Sequence, residues 1–64
     1  MTFEEAKEQA RQGIKVTHRY FTPDEYMTMQ GNMIIFEDGC EIYVNEWSQG
    51  KDYLLDGWSL YIEK

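Results

Sequence analysis

The sequence predicts an α+β domain with one N-terminal helix packed on an antiparallel sheet of about five short strands, and a short helical turn before the last strand. Three observations predict it. Thr2 and Glu5 have the spacing of a helix capping box. Five short runs are rich in β-branched and aromatic residues, and glycine-containing pairs separate the middle ones. With 64 residues, the chain is expected to form a single domain, 1–64.

The helix is predicted from about Phe3 to Gln12. Its apolar positions recur at i, i+3 and i+7, which places Phe3, Ala6 and Ala10 on one face. Gly13 suits the position after the last helical residue, with Ile14 as the apolar residue that follows.

The predicted strands are Ile14–Tyr20, Tyr26–Gln30, Met33–Phe36, Cys40–Val44 and Trp58–Ile62. Gly31-Asn32 and Asp38-Gly39 are typical of two-residue hairpin loops of types II′ and I′. The last strand alternates, which places Trp58, Leu60 and Ile62 on one face.

Two segments between the strands are not extended in this prediction. Thr22–Glu25 fits either a turn or a single helical turn with Pro23 at its first position. Ser48–Leu55 is expected to hold the short helical turn.

A net charge of −6 argues against binding a nucleic-acid polymer, which needs clustered Lys and Arg. The charge is uneven along the chain. Residues 1–19 carry four basic and three acidic residues, whereas residues 20–64 carry two basic and nine acidic ones. The N-terminal part therefore suits a small anion better than a long one.

The lone Cys40 and the lone His18 give no basis for a disulfide or a structural zinc site, so we expect no metal and no cofactor. No secretory or membrane-spanning pattern is visible, which predicts no membrane partner and a location in the cytoplasm. Small chains often gain stability by association, and an aromatic content of 16% exceeds what so small a core can enclose. We therefore expect a homo-oligomer.

Known catalytic motifs are absent from the sequence, so we expect no enzyme. Acting as a general base, His18 would need an orienting carboxylate, which spacing does not identify.

Four residues are candidates for binding a ligand. Arg19 and Tyr20 end a basic and aromatic run that is either a nucleotide grip or an ordinary amphipathic strand. If the strand continues, the two point to opposite faces, so both serve one pocket only if its end twists or a second subunit supplies one. Trp47 suits a pocket or the core, and Asp52 suits ribose hydroxyls, a base amino group or a turn cap.

Several core assignments also stay open. Tyr26, Met27 and Met29 fit either an adaptable surface or the core. Trp58 fits either the core or a pocket.

In their order, four motifs resemble the Thoeris anti-defence proteins of the second type: Met1-Thr-Phe-Glu-Glu-Ala6, Gln12-Gly-Ile-Lys-Val16, Arg19-Tyr20, and Trp47 followed by Asp52-x-Leu54 and Trp58. This chain departs from the family pattern at three places, one of which is that Lys51-Asp52 lies one residue closer to Trp47 than in the family. Tyr20-Phe21 stand where the family has Gly-Trp, and Gly57 stands where it has Asp.

The resemblance implies a phage protein that acts in the host cytoplasm. It would bind and sequester, without cleaving it, a cyclic ADP-ribose-type nucleotide signal of Thoeris immunity. Such proteins are oligomers, so a dimer or tetramer with pockets at subunit boundaries is implied. In the implied site Arg19 meets the diphosphate, Tyr20 or Trp47 stacks on the base, and Asp52 orients ribose or base.

The acidic segment suggests a different class. An acidic inhibitor of a host nuclease or polymerase, as a DNA mimic or anti-CRISPR-like protein, would use Glu37, Asp38, Glu41 and Glu46.

Overall fold

Helix α1 forms at Phe3–Arg11 in the computed structural model, which describes residues 1–62. Its first turn is closed by the predicted capping box. The Glu5 N–H donates to Thr2 Oγ1 at 3.2 Å, and the Thr2 N–H donates to Glu5 Oε1 at 3.0 Å. The local sequence therefore fixes where this helix begins.

The end of α1 is also fixed locally. Gly13 has a φ of 85°, and its N–H donates to the Ala10 carbonyl at 3.0 Å. The Ile14 N–H donates to the Gln9 carbonyl at 3.2 Å, which completes a Schellman motif. Glycine is favoured here because a side chain disfavours this left-handed backbone.

Five strands form one antiparallel sheet in the spatial order β4-β3-β2-β1-β5. Their bounds are Val16–His18 (β1), Met27–Gln30 (β2), Met33–Phe36 (β3), Glu41–Tyr43 (β4) and Trp58–Leu60 (β5). Between β4 and β5 lie a helical turn at Val44–Trp47 (α2) and a 3-10 helix at Asp52–Leu54. The predicted fold class is confirmed.

Helix α1 covers one face of the sheet, and the core lies between them. The buried apolar residues come from every layer: Phe3, Ala6, Ala10, Val16, Met27, Met29, Ile34, Val44, Leu54 and Trp58. Cross-strand register explains which strand residues join it, because directly paired residues point to the same face. Val16 pairs with Met27, and Met29 pairs with Ile34.

One of the two hairpin loops differs from its prediction. The loop of Gly31 and Asn32 is closed by the Gln30–Met33 pair, and Gly31 has a φ of 62°, as a type II′ turn requires. A type I′ turn at Asp38 would need a positive φ there, yet among residues 1–62 only glycines have one.

The β3–β4 loop instead has three residues, Glu37 to Gly39. The Gly39 N–H donates to the Phe36 carbonyl at 2.9 Å, and the Phe36 N–H donates to the Cys40 carbonyl at 2.9 Å. This is a type I turn followed by a left-handed glycine, the usual three-residue hairpin. Asp38 therefore avoids the left-handed conformation that the predicted turn would impose.

Four of the five predicted strands are shorter in the structure: β1, β2, β4 and β5. β1 ends at His18, where the Phe21 N–H donates to the His18 carbonyl at 2.8 Å and turns the chain. Val44 starts α2 instead of ending β4, and the predicted helical turn within Ser48–Leu55 is the 3-10 helix alone. The open choice at Thr22–Glu25 resolves as a turn, since the Glu25 N–H donates to the Thr22 carbonyl at 3.0 Å.

β5 lies at an edge of the sheet, so its predicted apolar face is only partly buried. Trp58 is buried, whereas Leu60 and Ile62 on the same alternation are exposed. Met1 pairs with the outer side of this strand, because the Trp58 N–H donates to the Met1 carbonyl at 3.1 Å. No helix within residues 1–62 is long and apolar enough to cross a membrane.

Candidate functional site

A cleft of about 230 Å³ opens between the first turns of α1 and the segment from α2 to the 3-10 helix. Its walls combine aromatic and aliphatic carbon with two ammonium groups, two carboxylates and a hydroxyl. The lining residues are Phe3, Trp47, Leu54, Leu55, Lys7, Lys51, Glu4, Asp52 and Ser48. Five of these nine residues are polar or charged, so the cleft suits a polar small molecule better than an apolar one.

Trp47 is half-buried and forms the aromatic wall of this cleft. Its ring centroid lies 6.1 Å from that of Phe3, 5.9 Å from that of Phe36 and 6.5 Å from that of Phe21. These contacts hold the indole in place. Trp47 therefore packs against the core and also lines the cleft. The sequence had left these two roles open as alternatives.

Asp52 is exposed, lines the same cleft and is the first residue of the 3-10 helix. Its carbonyl accepts the Leu55 N–H at 3.2 Å, so the backbone at this position is fixed. The structure thus brings together two of the four predicted binding residues, Trp47 and Asp52.

Lys7 and Lys51 extend over rings of the cleft. The ammonium nitrogen of Lys7 lies 4.8 Å from the centroid of Phe3, and that of Lys51 lies 5.3 Å from the centroid of Trp47. Lys7 also donates to Glu4 at 2.8 Å, and its hydrogen bond and charge lower the pKa of the Glu4 carboxyl. The cleft therefore offers one paired cation and one cation held mainly by a ring.

Arg19 and Tyr20 lie elsewhere and do not line the cleft. Because β1 ends at His18, both fall on the turn that follows, and both are exposed. The guanidinium carbon of Arg19 lies 5.3 Å from the centroid of Tyr20, whose ring lies 6.1 Å from that of Tyr53. The strand end thus turns enough to bring these two side chains together, which was one of the two expected ways to combine them.

The 3-10 helix separates the two pairs of predicted residues. Asp52 and Leu54 of this helix line the cleft, whereas Tyr53 between them contacts Tyr20. Tyr20 and Tyr53 are 65% and 59% exposed, so their rings form a surface patch, the Tyr20–Tyr53 patch. Within one chain, the cleft and this patch are neighbouring but distinct surfaces.

His18 is only 2% exposed, and backbone groups occupy both of its ring nitrogens. Nε2 lies 2.6 Å from the Asp56 carbonyl, and the Tyr20 N–H donates to Nδ1 at 3.1 Å. A carbonyl only accepts and an N–H only donates, so the ring is neutral with its proton on Nε2. This histidine is structural, which agrees with the doubt about its role as a base.

Gly57 has a left-handed backbone and close neighbours, which together favour glycine at this position. Its φ is 92°, and a Cβ at this position would lie 2.9 Å from Arg19 Nε and 3.0 Å from His18 Nε2. An aspartate at 57 would therefore clash and adopt a strained backbone. The neighbouring carboxylate, Asp56 Oδ1, accepts the Gly57 N–H at 2.8 Å and so acts on the local backbone.

Met27, Met29 and Trp58, which the sequence left open, lie in the core, whereas Tyr26 does not. Met27 and Met29 are buried, and Trp58 donates its indole N–H to the Leu54 carbonyl at 2.6 Å. Tyr26 is half-buried, with its ring centroid 4.7 Å from that of Tyr61.

Cys40 is exposed on the β3–β4 hairpin, away from the cleft. Its thiol lies 3.4 Å from Asp38 Oδ2, and this hydrogen bond and the negative charge raise the pKa of the thiol. Cys40 is therefore a poor nucleophile. No group of three or more potential ligands within residues 1–62 is arranged to hold a metal ion.

Sequence reasoning missed Phe3, Lys7 and Lys51 as part of the site. Phe3 and Lys7 lie four positions apart, one helical turn, which places them on adjacent parts of the α1 surface. Lys51 follows Trp47 by four positions, although the chain turns between them. Aromatic–lysine pairs at this spacing were the available signal.

Comparisons with protein-family models, with curated proteins and with solved structures find no match for this chain.

Proposed function

We propose that this chain binds and sequesters a small cyclic nucleotide of the cyclic ADP-ribose type, the signal of Thoeris immunity, without cleaving it. The observation that carries the proposal is the cleft in which Trp47, Lys51 and Asp52 meet. A nucleotide presents a planar base, hydroxyls and phosphates. An indole, a carboxylate and an ammonium group are the matching partners for these three. The site acts in the host cytoplasm, where the signal is made.

Sequestration needs tight binding and no proton transfer. The cleft contains no histidine, and His18 is buried with both nitrogens bound to backbone. A carboxylate such as Asp52 accepts hydrogen bonds from hydroxyls at neutral pH without further activation. In the proposal, the groups of the cleft therefore serve binding alone.

The size of the cleft supports a site shared between copies. Its volume of about 230 Å³ falls below the roughly 300–1,000 Å³ of pockets that enclose whole drug-sized ligands. In the proposal, one protomer therefore encloses only part of a ligand the size of cyclic ADP-ribose. In our proposal, Arg19 and Tyr20 of a second copy meet the diphosphate and base that remain outside, in a dimer or tetramer.

Isothermal titration calorimetry with isomers of cyclic ADP-ribose tests this function. We expect at least one isomer to bind with a Kd of about 1 μM or tighter, equivalent to roughly −8 kcal/mol. The bound ligand should be recovered intact after heating. No heat with any isomer, or recovery of a cleaved product, would contradict the proposal.

Two matched variants localise the site. Asp52→Asn removes the carboxylate of the cleft and should weaken binding about tenfold or more, because hydrogen bonds to charged groups are worth roughly 1.5–3 kcal/mol. Asp24→Asn makes the same chemical change on another exposed aspartate outside the cleft and should leave the affinity unchanged.

A second candidate function is an acidic inhibitor of a nuclease or polymerase. The exposed positions of its four predicted contact residues favour it: Glu37, Asp38, Glu41 and Glu46. Glu37→Lys with Glu41→Lys separates the two candidates. An inhibitor of this kind should lose its target, with binding that weakens steeply in salt, whereas nucleotide sequestration should continue.

A further inference from the structure

The two lysines of the cleft occupy the faces on which a ligand would stack. The ammonium nitrogen of Lys51 lies 5.3 Å from the Trp47 centroid, and that of Lys7 lies 4.8 Å from the Phe3 centroid. The side chain of Lys7 is only 16% exposed and is bound to Glu4 at 2.8 Å. Lys51 is half-buried and is the cation on the indole.

A planar ligand that stacks on the face of Trp47 covered by Lys51 displaces that ammonium group. Stacking of a base on an aromatic ring is generally stronger than an exposed cation–π contact, so displacement is favourable. The lysine stem has four carbons and rotates freely, so the displaced ammonium stays at the rim of the cleft. A phosphate attached to the ligand would meet it there.

We propose that Lys51 is a specificity residue that moves from the face of Trp47 to the ligand's phosphate and thereby selects phosphorylated nucleosides. A neutral nucleoside displaces the cation without offering it an anion. A nucleoside phosphate replaces the cation–π contact with a charge-assisted hydrogen bond, which is stronger. This inference rests on the proposed nucleotide site and adds a switch of one side chain to it.

Other groups of the cleft fit the same ligand class. Asp52 offers a carboxylate to ribose hydroxyls, and the half-buried Ser48 offers a hydroxyl that both donates and accepts. Lys7 is held by Glu4 and by the Phe3 ring, so its position is more fixed than that of Lys51. We therefore assign recognition of the ligand's phosphate to Lys51.

The experiment compares adenosine with adenosine 5′-monophosphate (AMP), titrated into the full-length wild-type protein and followed by the indole N–H signal of Trp47 in NMR spectra. In the wild type, we expect AMP to bind about tenfold tighter than adenosine. In Lys51→Gln, AMP should bind about tenfold more weakly, while adenosine should bind as well as in wild type or up to a few-fold better. The ratio of the two affinities then approaches one.

Lys15→Gln is the matched control. Lys15 also lies over a ring, with its ammonium nitrogen 4.6 Å from the Tyr26 centroid, but it does not line the cleft. Its variant should keep the wild-type ratio. Lys51→Arg keeps a cation and should retain most of the preference for AMP, which separates a charge effect from a loss of packing.

Three results would overturn the inference: no binding of either compound to wild type, equal affinities in wild type, or an unchanged ratio in Lys51→Gln. The calorimetric test with cyclic isomers remains separate. If a cyclic isomer binds while Lys51→Gln keeps the ratio, the inference fails and the proposed function stands. If the ratio collapses as expected while no cyclic isomer binds, the inference stands and the proposed function fails.

Discussion

At the scale of single residues, His18 and Trp58 bury polar ring atoms and satisfy them with backbone carbonyls. His18 Nε2 donates to Asp56 at 2.6 Å, and Trp58 Nε1 donates to Leu54 at 2.6 Å. Leu54 ends the 3-10 helix and Asp56 lies between that helix and β5, in a segment that carries part of the cleft wall. Two buried rings therefore hold the backbone behind the candidate site.

His18→Phe tests this role. Phenylalanine fills a similar space but leaves the Tyr20 N–H and the Asp56 carbonyl without partners. Both bonds are part-buried, and a fully buried unpaired group costs about 1–3 kcal/mol, so we expect the free energy of unfolding to fall by roughly 1–3 kcal/mol in total. Urea denaturation followed by tryptophan fluorescence measures it. His18→Gln retains a donor and an acceptor and should cost less, and an equal loss in both variants would contradict the argument.

Gly57 and Gly50 form a matched pair for a second prediction. Both have a positive φ, of 92° and 71°, but a Cβ at Gly50 meets no atom within 4 Å, whereas one at Gly57 meets Arg19 at 2.9 Å. We expect Gly50→Ala to cost about 1 kcal/mol from backbone strain. Gly57→Ala should cost about 2–3 kcal/mol, because the strain and the clash add.

Denaturation midpoints of these two alanine variants check the prediction. Equal midpoints would show that the side chains of Arg19 and His18 move aside at little cost. In that case the close approach would not explain the glycine.

At the scale of elements, the stability of α1 depends on the negative charge of the Glu5 carboxylate. Its carboxylate accepts the Thr2 N–H, and this bond lowers the pKa of Glu5 below its ordinary value of 4.5. A carboxyl group whose pKa is lower in the folded state than in the unfolded state stabilises the fold at pH values above the unfolded-state pKa. This contribution is lost as the pH falls through the folded-state pKa. The relevant window therefore begins near pH 4.5 and extends downward.

Glu5→Gln should flatten this pH dependence. We expect wild type to melt at a higher temperature than the variant at pH 6, with the gap narrowing at pH 3, because the glutamine cannot lose a charge. Thermal melts followed by circular dichroism measure it. The lowered pKa values of Glu4 and Asp38 act in both proteins and cancel in the difference. Glu8→Gln, outside the capping box, is the control, and a gap that stays constant between the two pH values would contradict the prediction.

At the scale of the whole molecule, a cleft of about 230 Å³ and the exposed Tyr20–Tyr53 patch lie on the two sides of one 3-10 helix. Arg19 does not line the cleft of its own chain, so in the proposed arrangement a second copy supplies it. The proposed sharing of one ligand by two copies therefore predicts complementation between defective chains.

Mixing Arg19→Gln chains with Asp52→Asn chains tests this sharing. Each variant alone should bind the cyclic ligand weakly. In a two-fold dimer with two shared sites, random exchange of subunits restores one intact site in each mixed dimer, or about a quarter of all sites. Calorimetry of the mixture after unfolding and refolding measures the recovered fraction. No recovery in the mixture would indicate that both residues act within the same chain.

Local sequence predicted much of the fold. Thr2, Glu5 and Gly13 bound α1 through hydrogen bonds between near neighbours, so their spacing was sufficient to place the helix. The strands were also found, but β1 and β5 were predicted too long. Their ends depend on the turn after His18 and on the sheet edge at Leu60, which are set by distant partners.

The candidate site was predicted only in part. Residue type identified Trp47 and Asp52, and the fold brings them to one cleft. Arg19 and Tyr20 were predicted for the same ligand but lie on the other side of the 3-10 helix. Their distance from the cleft follows from how the segment after α2 folds back against α1, which no local pattern encodes.

By itself, the sequence determined the fold class, the bounds of the helix and the acidic balance of the chain, because these depend on composition and on contacts between near neighbours. Only the tertiary structure decided that Phe3, Lys7, Trp47 and Lys51 share one cleft and that His18 is buried. Those outcomes depend on packing between segments some 40 residues apart in the chain, where position is set by the whole core and not by spacing.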